Sequence, residues 1–174
     1  TIYRNNNSKT IEHALFDRYL TNIGYRAGDK ILAFWGGHAI SRMAKLKLNI
    51  LNYLINYRNY STYYIDDNQL IDCLNYIQRN NIALLRGYAS ALYLLAKKAN
   101  EINMHFQINA ISPTAEQLFD FQRKEIVKAF GPNIFDQYGC IETLSLAFEC
   151  DQHCGLHQAF EHSISEVINN KGES

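Results

Sequence analysis

The chain has 174 residues, 47% of them hydrophobic and 20% charged, and its formal net charge is zero. Such a length suits one domain with a sizeable core. Balanced charge gives no basic excess for nucleic acid or an anionic membrane surface, and no apolar run approaches a bilayer span.

Taken in order, residues 8–24 carry an amphipathic helical pattern. Ser8 suits its N-cap, Ile11, Ala14, Leu15, Tyr19 and Leu20 share a face, and Gly24 stops it. After the Gly28-Asp29 turn, KILAFW (30–35) reads as a buried strand. A helical pattern runs from Ser41 to Asn56. STYYI (61–65) is β-branched and aromatic, hence a second strand. Asp66-Asp67 opens a helix over Asn68 to Arg79. IALLRGY (82–88) is a third strand, followed by a helix from Ser90 to Asn103. FQINAIS (106–112) is a fourth strand ending at Pro113. Ser112 or Thr114 then caps a helix that runs through Phe130, where Gly131-Pro132 breaks it. NIFDQYG (133–139), LSLAFEC (144–150) and HSISEVI (162–168) complete the strands. This alternation predicts an α/β fold, a mainly parallel twisted sheet flanked by helices. The last strands follow one another with only a loop between, which predicts an antiparallel edge.

Ligands of open α/β sheets sit beyond the carboxyl ends of the strands. Two stretches fall there, ISPTAEQL (Ile111–Leu118) and DQYGCIET (Asp136–Thr143). Each places a carboxylate, Glu116 or Glu142, a few residues past an apolar run. Thr114-Ala115 and Gly139 are small enough for a flat ring to approach the backbone. Tyr138 can stack on such a ring, and Glu142 can hold a metal that neutralises phosphate. The same letters also describe a capping box and an ordinary strand end.

YGCIE, with SPTAEQL about twenty residues upstream, resembles the adenylate-forming superfamily of acyl- and aryl-CoA ligases. AFECDQHCGLHQAFEHSISEVI and GYASALYLLAKKANE resemble its phenylacetate-CoA ligase branch, to which capsule-biosynthesis ligases also belong. The resemblance covers residues 80–168 well and the first 80 weakly. It implies part of an N-terminal adenylation domain. Thr114, Ala115 and Glu116 would line an adenine and ribose site. Gln137, Tyr138, Gly139 and Cys140 would form the facing wall. Glu142 would be the catalytic carboxylate, coordinating Mg²⁺ on the phosphates of ATP. Ile141 departs from the family's commoner Thr or Ser and removes a hydroxyl near phosphate. The implied reaction joins a small-molecule carboxylic acid to AMP, then passes the acyl group to coenzyme A, a carrier protein or an amine.

Several features point to a piece of a longer enzyme. The chain opens at Thr1 in a strand-like stretch and closes NNKGES just after SISEVI. It carries no Gly/Ser/Thr-rich phosphate loop, no ribose-binding Asp motif and no lid domain with its Lys. One α/β subdomain over residues 1–174, inactive by itself, is therefore expected. A different class of reading is a non-catalytic nucleotide-binding or scaffold module of capsule polysaccharide biosynthesis.

Cys150, Cys154 and His157, with His153, Cys140 or His162 as a fourth group, have spacings that suit tetrahedral Zn²⁺. The other reading is a reduced Cys pair in a loop. Together with Cys73, these four cysteines are too few and too clustered for a disulfide framework, which predicts a reduced, cytoplasmic protein. Cys73 shares a helical stripe with Leu70, Leu74 and Ile77 and reads as core. Trp35-Gly36-Gly37-His38 suits a turn carrying a surface imidazole, or a backbone approach to phosphate. Arg86, late in a buried strand, is placed to pair with a carboxylate or a substrate.

Overall fold

The structure is a computed structural model that describes residues 5–36, 42–63, 65–140, 145–161, 163–164, 166, 168–169 and 171. Helix α1 (Asn6–Asn22) leads into β1 (Lys30–Trp35), α2 (Arg42–Leu54), β2 (Tyr57–Ser61) and α3 (Asp67–Arg79). Then come β3 (Ile82–Tyr88), α4 (Ala89–Glu101), β4 (Ala110–Thr114) and α5 (Asp120–Phe130). The chain continues through β5 (Gln137–Cys140), β6 (Ser145–Glu149) and β7 (Leu156–Gln158). No helix among the described residues is long and apolar enough to cross a membrane.

Strands β2-β1-β3-β4 form a parallel sheet in that order, and β5-β6-β7 form an antiparallel one. The α/β expectation holds. The antiparallel part, expected as an edge, is a sheet of its own. The two join at a single parallel bridge, Ile111 to Ile134. There the Ile111 N–H donates to Asn133 O, and the Phe135 N–H donates to Ile111 O, each at 2.8 Å.

Several boundaries differ from the sequence expectations, each for a local reason. The N-cap of α1 is Asn5, whose Oδ1 accepts from the Ser8 N–H at 2.7 Å; Ser8 is inside the helix. The second strand is Tyr57–Ser61, not 61–65. As the edge strand of the sheet it exposes polar side chains, so its residues lack the apolar signature of a central strand. Tyr60 turns inward onto Phe34, and the Arg58 guanidinium covers the Tyr60 and Tyr76 rings at 5.0 and 4.1 Å. Strand β4 starts at Ala110 and runs through Pro113 to Thr114. Pro113 points its imide nitrogen the same way as Ile111, away from β3, so no ladder bond is lost. The preceding Phe106 and Ile108 donate their N–H groups to Ala129 and Phe130 O instead, which satisfies carbonyls at the end of α5. Helix α5 begins at Asp120, with the Gln122 side chain accepting from the Phe119 N–H, so neither Ser112 nor Thr114 caps it. The described residues among 162–168 belong to no strand, and the third strand of the small sheet is Leu156–Gln158.

Leu32, Phe34, Leu85 and Ile111 bury against α3, α4 and α5 on one face of the parallel sheet. Cys73 is fully buried there, as its stripe predicted, and burial pushes its thiol up to about 12. The opposite face packs Leu84 and Ala110 under Tyr19, Leu20 and Ile23 of α1. Leu15 of the same helix reaches Leu146 of the second sheet and Ala159 just after β7.

At Gly87 the two central strands come so close that a Cβ would lie 2.6 Å from Phe34 O, with φ at +154°. Gly28 also has positive φ, at +96°, but nothing lies within 4 Å of a Cβ placed there. Gly87→Ala should therefore destabilise the fold by about 3 kcal/mol, against about 1 kcal/mol for Gly28→Ala, in paired denaturant melts.

Candidate functional site

The strand order reverses direction between β1 and β3. Chain leaving β1 crosses to β2 on one side, while chain leaving β3 crosses to β4 on the other. Right-handed crossovers then place helices on opposite faces and open a crevice at the carboxyl ends of β1 and β3. Trp35 and Tyr88 stand at those ends, with their rings 5.5 Å apart and nearly perpendicular. Gly36 follows Trp35 and faces the Tyr63 ring. Gly37 and His38 lie outside the described residues.

Thr114 and Gln137 each stand three residues beyond the bridged pair Ile111–Ile134. The two sequence-predicted stretches therefore leave neighbouring strands at the same end of the sheet. Thr114 closes β4, and Ala115 turns the chain with φ at 63°. Glu116 reaches sideways, its Oε2 accepting from the Ser90 N–H at 2.8 Å. It thus holds the first turn of α4, where the helix dipole favours a carboxylate. On the other stretch, Gln137 is buried, and its side-chain oxygen receives no hydrogen bond. Tyr138 is 54% exposed and Gly139 is exposed; they pair with Ala147 and Leu146. Cys140 is half-buried at the end of β5. Glu142 and Ile141 lie outside the described residues.

What holds the second stretch in place was not visible in the sequence. Glu149, only 6% exposed, accepts from Arg123 Nη2 at 2.8 Å, from the Asp136 N–H at 2.6 Å and from His153 Nδ1 at 3.0 Å. Arg123 also donates to Ile134 O. One carboxylate thus ties α5, the bridge strand and β6 together just before Tyr138. Burial opposes ionisation of Glu149, but the bonds from Arg123, Asp136 and His153 outweigh it and hold its pKa below the ordinary carboxylate value. Asp136 beside it is shifted the other way, mainly by burial. The partners of Glu149 are spread over Arg123, Asp136 and His153, a spacing with no local period to detect.

The zinc expectation is not supported. Of Cys150, Cys154 and His157, only Cys150 and His157 meet, Sγ to Nε2 at 3.2 Å. Cys154 Sγ donates to Gln152 O, and His153 is engaged by Glu149 and stacked on Phe135. The turn through His153 (φ 51°) and Gly155 (φ 134°) carries Cys154 off on its own contact. Among the described residues no three metal-binding side chains gather; His162 lies outside them. An open hollow of about 490 Å³ lies at the other end of the sheet, between α1, residues 25–28 and the end of α2. It is remote from both stretches.

No family model and no curated protein matches the chain. Solved structures do. A 2-hydroxyisobutyryl-CoA ligase in the postadenylation state, in complex with R3-HIB-AMP, superposes with a TM-score of 0.55 at 14% identity. The match covers 86% of this chain and 33% of that one. An open conformation of the ligase, in complex with 2-HIB-AMP and CoA, gives 0.53 at 14% identity, over 86% and 34%. The fold is that of part of a CoA ligase. The chain spans about a third of the length of the ligases it matches.

Glu149→Gln should lower stability by about 2 kcal/mol at neutral pH. A carboxylate with a depressed folded pKa contributes above its unfolded pKa and loses that contribution as pH falls through the folded one. The gap between wild type and Glu149→Gln should accordingly narrow below about pH 4, which melting curves of both across pH would read.

Proposed function

We propose that the chain is part of an ATP-dependent ligase that activates a small-molecule carboxylic acid as its adenylate, in the manner of the phenylacetate-CoA ligase branch. The observation that carries this reading is that Thr114–Glu116 and Gln137–Cys140 both lie just beyond the parallel bridge Ile111–Ile134, at the carboxyl end of β4. The likeness of fold to a CoA ligase over 86% of the chain supports it. The residues fit a purine. Tyr138 offers an exposed ring for stacking. Gly139 leaves the strand surface low, with Leu146 at 3.5 Å the one near contact among the described residues. Gln137 supplies a buried acceptor without a donor, and Ala115 brings backbone to the rim in a turn.

In this reading Glu142 holds Mg²⁺ on the nucleotide phosphates, and the metal supplies charge neutralisation. Glu116 acts on the site through its bond to Ser90, fixing the β4 loop against α4. The Arg123–Glu149 pair sets the height of Tyr138 by locking Asp136. The acceptor is coenzyme A, a common thiol for such ligases. Phosphate-loop and lid functions, in this reading, come from chain outside these residues.

The reading predicts that AMP binds the chain and that Tyr138→Ala weakens it about tenfold, the loss of one stacked ring. Glu142→Ala should leave AMP affinity alone and weaken Mg²⁺–ATP. Calorimetry on the three proteins checks both. Failure of both nucleotides to bind the wild type would end the proposal. Tight nucleotide binding without pyrophosphate exchange in the full reading frame, across a panel of aryl and fatty acids, would favour the scaffold module.

A further inference from the structure

Arg86 is the third residue from the end of β3, level with Ala33 of β1 and Ser112 of β4. It therefore lies at the switch point itself, on the α1 face of the sheet. Its Nε is buried without a hydrogen-bond partner. Among the described residues, no carboxylate or carbonyl accepts from its guanidinium. The rings of Phe16 and Trp35 lie 5.1 and 5.5 Å from its central carbon. The titratable groups facing it are Tyr19 from α1 and Tyr57 from β2. Burial raises the pKa of both phenols, so both stay neutral. Tyr19 is also occupied elsewhere, bonding Ser112 and Phe135 O.

A guanidinium stays charged in a protein, and a buried charge without a counter-charge is unfavourable. Cation–π contacts offset only part of that cost at such distances. The fork of donors is planar and matches a carboxylate or a phosphate. Two features favour the carboxylate. No second cation stands beside Arg86 among the described residues to share a phosphate dianion, and the flanking walls are aromatic. Trp35, Arg86 and Tyr88 each keep part of their surface exposed among the described residues.

We infer that Arg86, between Phe16 and Trp35 at the β1/β3 switch point, is the binding site for the carboxylate of a small organic acid with an apolar body. Equating that acid with the substrate of activation rests on the function proposed above; the site itself does not.

The test uses the whole chain with sodium benzoate as probe, benzamide as its neutral counterpart and inorganic phosphate as the competing anion. Benzoate should bind the wild type with a dissociation constant of about 1 mM, and Arg86→Gln at least about tenfold more weakly. Arg86→Lys, which keeps the charge without the fork, should fall between them. Benzamide should bind neither, and phosphate should not displace benzoate. Without ligand, Arg86→Met should melt no lower than wild type, because the unpaired charge is gone, and benzoate should no longer raise its melting temperature. Equal benzoate affinity in wild type and Arg86→Gln would overturn the inference, as would phosphate displacing benzoate or no binding to wild type. So would an Arg86→Met protein that melts lower yet keeps its response to benzoate, since Arg86 would then be a structural clamp. Nucleotide binding with benzoate indifferent to Arg86 removes this site alone. Benzoate binding through Arg86 without nucleotide binding removes the adenylation reading alone.

Discussion

The hydroxyl of Tyr19 is the point on which the two sheets depend. It donates to Phe135 O at 2.9 Å and shares a hydrogen bond with Ser112 at 3.1 Å, while its ring stacks on Phe148 at 4.4 Å. Ser112 belongs to β4, Phe135 to the segment between the sheets, and Phe148 to β6. One side chain of α1 therefore touches the end of the parallel sheet, the crossing and the antiparallel sheet. Burial raises its phenol well above the ordinary pKa, so it remains a donor throughout the accessible pH range. A buried hydroxyl that lost these partners would carry the full desolvation penalty, so the register of β4 and the path of residues 134–136 are coupled.

That coupling accompanies a second sheet that does not continue the first. Strand β4 pairs with the Ile134 region through one bridge only. Beyond it, Pro113 has no N–H to offer on that side, so the ladder stops. Asp136 pairs instead with Glu149 of β6 through the Glu149 N–H at 2.9 Å. The chain between Ile134 and Gln137 thus changes partner within three residues. Thr114 and Tyr138 therefore follow a ladder that is begun at Ile111–Ile134 and then abandoned. The interruption of an apolar strand by Asp136, Gln137 and Tyr138 has its physical reason there.

Central elements were legible in the sequence because their constraints are local. KILAFW and IALLRGY are buried on both faces and read as unbroken apolar runs. Asp66 and the stripe Leu70, Cys73, Leu74 and Ile77 announce α3 with its cap. Edges were not legible. Strand β2 is held by its backbone bonds to β1, which ask nothing of Arg58 and Asn59. Strand β7 is three residues long and its side chains are mostly exposed. At the site, the two stretches were recognisable from their letters. The groups that fix them, Glu149 with Arg123 and Ser90 with Glu116, are partners 26 residues apart in each case. The letter pattern even misled at Glu116. Glu116 shortly after Ser112 and Thr114 reads as a capping box for the helix that follows, but it stands four and two residues on, not three, and its carboxylate caps α4, the helix before.

The same distinction orders the polar groups around the crevice, Glu116 exposed and Glu149 buried. Glu116 and Glu149 are satisfied by the fold, each by a backbone N–H and Glu149 also by two side chains. Their task is to fix two loops at set heights. Gln137 Oε1 and Arg86 Nε, one on each side of the β4 end, are buried with no hydrogen-bond partner among the described residues. Folding gains nothing from an acceptor and a cation left in that state, and native interiors rarely leave such groups unpaired. An acceptor by the Tyr138 loop and a cation by the β1/β3 switch point divide the crevice into two chemically unlike halves. A ligand that completes both must offer a hydrogen-bond donor at one end and an anionic oxygen at the other. A purine with an exocyclic amine satisfies the first demand and a carboxylate the second. In the proposed reading, that polarity suits a site where a purine nucleotide and a carboxylic acid are joined.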